Sequence, residues 1–250
     1  MERSLKNIKM VVAYEGTAYA GFQLQINGPT IQGEIEKAIL KITGEPIHIL
    51  GAGRTDAGVH AWGQVVNFKS ATTIPLSKFK KALNSVLPRD IVIRIVTEVA
   101  PDFHAQHSAI SKTYIYRLYH SNERPLFERN LVYYYPYPLQ VNKMNEVLPY
   151  IVGEHDFKSF QASGSLIQTT IRKVNHCRLD VTGMEIRIII NANGFLYHMV
   201  RNIAGTLIQI GGGQINGADF QKIMEAKDRK RAGPTAPAQG LCLQEVIYST

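Results

Sequence analysis

The chain has 250 residues, of which 45% are hydrophobic, so it can bury a substantial core and is not intrinsically disordered overall. Lys and Arg number 28 against 20 Asp and Glu, which gives a formal charge of +8. This balance is typical of a protein that binds a polyanion, and a basic charge that only maintains solubility fits the composition equally well.

The first hundred residues alternate between predicted strands and helices. Residues 8–14 alternate as a strand, and Thr30 then caps an amphipathic helix that follows a stripe of isoleucines and ends at Gly44. Periodicity predicts four further elements here: strands at 47–50 and 64–68, a helix at 76–87 and a strand at 91–99.

The pattern restarts near Pro101, and a glycine run at 211–213 ends the longest helix of the second part. The elements predicted after Pro101 are strands at 112–119, 171–181, 185–191 and 241–248, and helices at 141–152, 197–210 and 218–226.

Short connections of mixed type favour an α+β fold over a doubly wound parallel sheet. We predict two α/β halves that form a mostly antiparallel mixed sheet with helices packed against it. No linker separates the halves, and we place them at residues 1–105 and 106–250. An active-site cleft is expected between the halves.

A glycine-rich loop at residues 51–60 (GAGRTDAGVH) follows a predicted strand. It is not a dinucleotide-binding turn, because Asp56 stands where the third glycine belongs and a strand, not a helix, follows. This argues against an oxidoreductase with a nucleotide cofactor. The loop instead presents Asp56 beside Arg54, with small residues that let a planar substrate approach. An ion pair that only fixes the loop is the alternative.

Residues 53–60 (GRTDAGVH) resemble the catalytic loop of the tRNA pseudouridine synthase A family. The resemblance covers nearly the whole chain, through segments 14–23 (YEGTAYAGFQ), 102–105 (DFHA), 112–117 (KTYIYR), 153–157 (GEHDF), 195–205 (FLYHMVRNIAG) and 232–241 (AGPTAPAQGL). It implies the pseudouridine synthase fold and an isomerase that converts uridine to pseudouridine at positions 38, 39 and 40 in the anticodon stem and loop of tRNA. It also implies a homodimer and no cofactor.

The resemblance assigns a role to four residues. Asp56 is the catalytic nucleophile or base, and Arg201 is the partner of its carboxylate. Tyr114 stacks on the target base, and Arg54 contacts a phosphate or fills the place of the flipped nucleotide, unless it pairs with Asp56 instead. Attack on C1′, addition to C6 and removal of the 2′ proton to give a glycal stay open as routes, and we favour the glycal.

Further candidate contacts for tRNA are basic and aromatic. On the helix around Arg201 we expect an apolar stripe and a polar stripe that faces the cleft or solvent. A tyrosine-rich run at 132–138 faces RNA or packs at a subunit or inter-half interface. Backbone contacts are predicted for six cations: Lys78, Lys80, Lys81, Arg229, Lys230 and Arg231.

The two cysteines, Cys177 and Cys242, lack the spacing of a disulfide framework or zinc knuckle, which favours a cytoplasmic location. His104 and His107 have no third ligand at metal spacing, so we predict no metal. Since no apolar run reaches the roughly 18 residues of a membrane span, we expect no membrane association. A tRNA-binding protein without catalytic activity is the main alternative to an enzyme.

Overall fold

The computed structural model describes residues 5–164, 167 and 169–249. The chain divides into two compact units. The first unit runs to Ile110 and takes in the chain again from Leu243, whereas the second extends from Ser111 to Cys242. Within the described ranges, no helix combines the length and the apolar character needed to cross a membrane.

The first unit opens with strand β1 (Lys6–Tyr14) and helix α1 (Ile31–Thr43). The predicted caps of α1 are confirmed: Thr30 Oγ1 accepts the amide of Gly33 at 3.2 Å, and Gly44 ends the helix with φ at 74°. Four elements follow: β2 (Leu50–Gly51), β3 (His60–Ser70), α2 (Leu76–Val86) and β4 (Ile91–Val99).

The second unit contains five strands and three α-helices in its described residues, and a last strand follows them in the chain. They are β5 (Ala109–His120), β6 (Tyr133–Tyr135), α3 (Val141–Glu146), β7 (Gly153–Asp156), β8 (Ile171–Thr182), β9 (Glu185–Ala192), α4 (Met199–Gly211), α5 (Phe220–Glu225) and β10 (Leu241–Tyr248).

Most strand pairs are antiparallel. In the first unit, β1 lies between β3 and β4 and is antiparallel to both, while β2 and β10 also pair with β3. In the second unit, β5, β9, β8 and β7 pair in that order as antiparallel neighbours, and β6 is parallel to β5. The predicted α+β class, with a mostly antiparallel mixed sheet, is therefore confirmed.

Helices of the first unit cover one side of its strands. Ile8, Met10 and Val12 point to this side of β1 and have no exposed surface. Phe68, which pairs opposite Ile8 on β3, packs against Phe79 of α2 with ring centroids 6.2 Å apart. We refer to this side as the helix face and to the opposite side as the open face, part of which is covered by residues 100–105 and Tyr248.

Helix α4 is almost entirely buried in the second unit. The predicted apolar stripe is confirmed, since Ile203 and Leu207 have no exposed surface. The alternative prediction, a polar stripe that faces solvent, is wrong. Asn202 of that stripe is also fully buried, and its side-chain amide donates to the carbonyl of Phe160 at 2.7 Å.

The strand predicted at 47–50 is wrong over most of its length. Only Leu50 and Gly51 join β3. The amide of Ile49 instead donates to Glu36 Oε1 at 3.0 Å, and its carbonyl accepts Gln32 Nε2 at 3.4 Å, so side chains of α1 take the bonds that a strand neighbour would make.

The helix predicted at 141–152 ends early. It stops at Glu146, and a single 3-10 turn at Leu148–Tyr150 follows, where Pro149 has no amide hydrogen to continue the α-helix. Gly153 then takes φ of 113° and begins β7, a strand that hydrophobic periodicity did not predict.

Candidate active site

The glycine-rich loop of the first unit connects β2 to β3. Its turn closes where the amide of Val59 donates to the Asp56 carbonyl at 3.1 Å, and Gly58 has φ of 77°. Gln64 Nε2 donates to the Gly53 carbonyl at 2.8 Å and ties the start of the loop to β3. The loop leaves Asp56 half-buried and Arg54 exposed.

Residues 14–22 brace this loop from one side. The amide of Phe22 donates to the Thr55 carbonyl at 3.0 Å, and the hydroxyls of Tyr14 and Thr55 are hydrogen-bonded at 2.8 Å. The amide of Gly16 donates to Nδ1 of His60 at 3.0 Å. Thr55 and His60 are both buried, so the residues around Asp56 are anchored at two points.

Two glycines allow the brace to approach so closely. A Cβ atom at Gly16 would lie 2.0 Å from the Val59 carbonyl oxygen, and one at Gly21 would lie 2.8 Å from that of Thr55. Gly21 also has φ of 112°. Sequence reasoning gave this segment no role, although its two glycines were a signal that backbones meet there.

Tyr114 and Tyr116 lie on the same side of β5 in the second unit. Tyr114 is 8% exposed and meets the ring of Phe195 edge-on, with centroids 5.0 Å apart. Tyr116 is fully buried and donates its hydroxyl to the Pro237 carbonyl at 2.9 Å. Burial raises the pKa of Tyr116, and Tyr133 adds to the effect, while the positive charge of Arg201 opposes it.

Arg201 is half-buried on α4 and is held by the segment that follows residue 232. Its Nε donates to the Ala236 carbonyl at 2.8 Å, and the amide of Ala236 donates back to the Arg201 carbonyl at 3.1 Å. A Cβ atom at Gly205 would lie 1.8 Å from the Pro234 carbonyl oxygen, so this position of the helix must be glycine. The guanidinium of Arg201 therefore has a fixed direction.

Arg229 organises the same segment from inside. It donates to the carbonyls of Gly233 at 2.8 Å and Ala232 at 3.3 Å, and its other terminal nitrogen reaches Asn202 Oδ1 at 3.0 Å and Thr235 Oγ1 at 3.1 Å. Burial lowers the pKa of its guanidinium. The prediction that Arg229 contacts the tRNA backbone is therefore replaced by a structural role.

We expect Arg229→Met to lower the free energy of unfolding by about 2 to 3 kcal/mol, because it leaves several acceptors without their donor. The measurement is urea unfolding. Arg231→Met is the matched control, since Arg231 is exposed in the same turn and should change stability by less than about 0.5 kcal/mol. Equal losses in both variants would contradict the role of Arg229.

The remaining basic candidates are exposed: Lys78, Lys80, Lys81, Lys230 and Arg231. Within the tyrosine-rich run, Tyr135 is buried and meets the rings of Tyr133 and Tyr137 edge-on. Packing within the second unit therefore accounts for part of that run. In the described part of the chain, no three His, Cys, Asp or Glu side chains cluster as a metal site.

The predicted site residues are thus divided between the units: Asp56 and Arg54 share one loop of the first, and Tyr114 and Arg201 belong to the second. A half-buried carboxylate on an anchored loop, among small residues, can act as a nucleophile or a base toward a planar substrate. Arg54, exposed two residues away, can contact an anionic group of that substrate.

Comparison with known proteins agrees with this chemistry. A family model described as tRNA pseudouridine synthase matches residues 10–108 and 148–249. The chain is 49% identical to tRNA pseudouridine synthase A of Caldicellulosiruptor bescii and 45% identical to tRNA pseudouridine synthase A 2 of Clostridium perfringens. Each alignment covers 98% of this chain and 100% of the relative. The chain therefore belongs to the tRNA pseudouridine synthase family of isomerases.

Proposed function

We propose that this protein isomerises uridine to pseudouridine at positions 38, 39 and 40 in the anticodon stem and loop of tRNA. The observation that carries the proposal is the half-buried carboxylate of Asp56 on its braced loop, in a chain that aligns end to end with named tRNA pseudouridine synthases. The formal charge of +8 suits a polyanionic substrate.

The reaction rearranges atoms within one nucleotide. The N1–C1′ bond breaks, the uracil ring turns, and a C5–C1′ bond forms. C5 loses a proton and N1 gains one, so atoms and electrons balance without an oxidant or a group donor. Asp56 acts by adding to C1′, by adding to C6, or by removing the 2′ proton to give a glycal, and we favour the last route.

Arg201 is proposed as the cationic partner of the Asp56 carboxylate, which must be ionised in each of these routes. The support is its fixed direction, which the hydrogen bond from Nε to the Ala236 carbonyl provides. A positive group held in one direction stabilises a carboxylate without the entropy cost of ordering a mobile side chain.

Tyr114 and Arg54 are proposed to hold the target nucleotide. Tyr114 would stack on the extruded uracil, and its edge-on contact with Phe195 fixes the plane of its ring. Arg54 would hold the displaced phosphate or fill the vacated place in the stem, and its exposure gives it access to RNA. The half at residues 1–105 then supplies the carboxylate, and the half at 106–250 supplies Tyr114 and Arg201.

A homodimer in the cytoplasm completes the proposal. The family resemblance supports the dimer, in which one tRNA touches both subunits. The cytoplasmic location is supported by Cys177 and Cys242, neither of which forms a disulfide. Burial raises the pKa of Cys177 to about 12, so this thiol stays protonated and poorly reactive.

The test uses unmodified tRNA that carries tritium at C5 of its uridines. We expect the protein to release tritium to water without added cofactor or metal, because C5–C1′ bond formation displaces the C5 hydrogen. Substrates with cytidine at positions 38, 39 and 40 should release none. Tight tRNA binding without release would favour the alternative of a binding protein without catalytic activity. Release that persists in the cytidine substrate would contradict the proposed positions.

A further inference from the structure

The open face of the first unit is basic in its charged residues. Strands β1 and β3 contain no acidic residue. The single acid of β4, Glu98, pairs opposite Ile8 and so points to the helix face. Lys9 lies on the open face, near the rings of Phe103 and Tyr248 at 5.5 and 5.6 Å. The charged side chains that β1, β3 and β4 present on this side are therefore basic, and aromatic rings lie beside them.

Trp62 and Arg94 form an exposed pair on this face. The guanidinium carbon of Arg94 lies 4.2 Å from the centre of the indole ring, and its Nη1 donates to the Trp62 carbonyl at 2.9 Å. Trp62 is 53% exposed. The helix face is filled at this level by buried Ala61 and Ile93, so a half-exposed indole belongs to the open face.

Trp62 and Arg94 lie at irregularities in the register of the strand pairs. The β1–β3 pairing shifts between Val12 and Tyr14, and the β1–β4 pairing shifts between Val11 and Val12. Such irregularities re-aim side chains and are common beside active sites. Val92 and Ile95, exposed by 45% and 48%, flank the pair and extend its apolar surface. Exposed apolar side chains next to a cation on a sheet face indicate an interaction surface.

We propose that Trp62 and Arg94 hold a second nucleotide of the tRNA, near the uridine at Asp56. The proposal rests on the proposed tRNA substrate. An exposed indole and a planar guanidinium are the groups on which unpaired bases stack, and Arg94 adds a charged donor for a phosphate. Trp62 follows Asp56 by six positions in the chain, so their Cα atoms lie within about 21 Å of each other. One anticodon arm spans that distance.

Trp62 is the only tryptophan in the chain, so its fluorescence reports on this site alone. The experiment titrates Asp56→Asn protein with unmodified tRNA, in which turnover should not interfere. We expect quenching of the indole as a base stacks on it. Trp62→Ala should raise the Kd for tRNA about tenfold, whereas Trp62→Phe, which keeps a ring, should stay near the parent value.

Kinetics separate this role from catalysis. Trp62→Ala in the otherwise unchanged enzyme should raise the KM for tRNA and leave the maximal rate of tritium release intact. Arg94→Gln should reduce the slope of log Kd against log salt by about one. Should Trp62→Ala fail to fold, the quenching of the native indole and the Trp62→Phe and Arg94→Gln results still decide the proposal.

Three results overturn the proposal: tRNA that binds without quenching Trp62, an unchanged Kd in Trp62→Ala, or a change of oligomeric state on sedimentation of that variant, which would make the patch a contact between copies of this chain. The proposed function fails separately. Tritium release combined with unchanged Trp62 fluorescence on tRNA binding rejects only the nucleotide site. Quenching of Trp62 fluorescence without any tritium release by the unchanged enzyme rejects only the isomerase activity.

Discussion

Replacing Asp56 with asparagine is expected to lower the rate of tritium release from tRNA by about a thousandfold or more. The amide has nearly the shape of the carboxylate but is neither a nucleophile toward C1′ nor a base toward the 2′ carbon. The loop itself should persist, because its contacts run through the Asp56 carbonyl, Thr55 and His60 rather than through the carboxylate alone.

Binding and stability distinguish lost chemistry from a lost fold. Removal of one negative charge beside a polyanion should leave tRNA affinity equal or slightly higher. Asp219→Asn is a suitable control, since this carboxylate is 46% exposed and pairs with Lys222 at the surface, where such pairs contribute little to stability. An Asp56→Asn enzyme that keeps even a tenth of its rate would exclude the carboxylate as the reacting group.

The sequence predicted the regular elements where local signals and tertiary packing agree. Helix α1 has both caps where a β-region threonine and a left-handed glycine indicated them. Strand β4 begins and ends at Ile91 and Val99, as its alternation predicted. These signals lie within the predicted segments themselves, so they can be recognised in a single sequence.

Prediction failed where a hydrogen-bonding group is occupied by a partner that the local pattern does not reveal. The segment at 47–50 has strand-like composition, but Glu36 and Gln32 of α1 occupy the hydrogen-bonding groups of Ile49. Arg229 was expected to bind RNA because it lies in a basic run, yet its donors are used by carbonyls of its own segment. Neither partner can be identified from local periodicity.

At the site, the candidate residues could be predicted from the sequence, but the contacts that hold them in position could not. Asp56, Arg54, Tyr114 and Arg201 were named from motifs, and their catalytic roles stay predictions. The brace at residues 14–22 could not be derived, because it depends on which backbones meet at Gly16. Such support determines catalytic geometry as directly as the reacting group does.

Gly16→Ala is expected to be the most damaging change outside the reacting groups. Its new methyl would lie 2.0 Å from the Val59 carbonyl oxygen, which is backbone and cannot rotate away. The brace must then separate from the catalytic loop. We expect a loss of about 3 kcal/mol in the free energy of unfolding. Because a displacement near 1 Å can cost about a hundredfold in rate, tritium release at saturating tRNA should fall by a similar factor.

Gly28→Ala is the matched control for this experiment. Gly28 lies in the same connection between β1 and α1 as Gly16, and the nearest atom that a Cβ there would meet is the Ala20 side chain at 3.4 Å, an ordinary contact. Urea unfolding and tritium release should both remain near wild type. If Gly16→Ala instead matches Gly28→Ala in stability and rate, the loop tolerates displacement, and the position of Asp56 depends on contacts other than the brace. A loss of rate with full tRNA binding is the result expected if the brace positions the carboxylate.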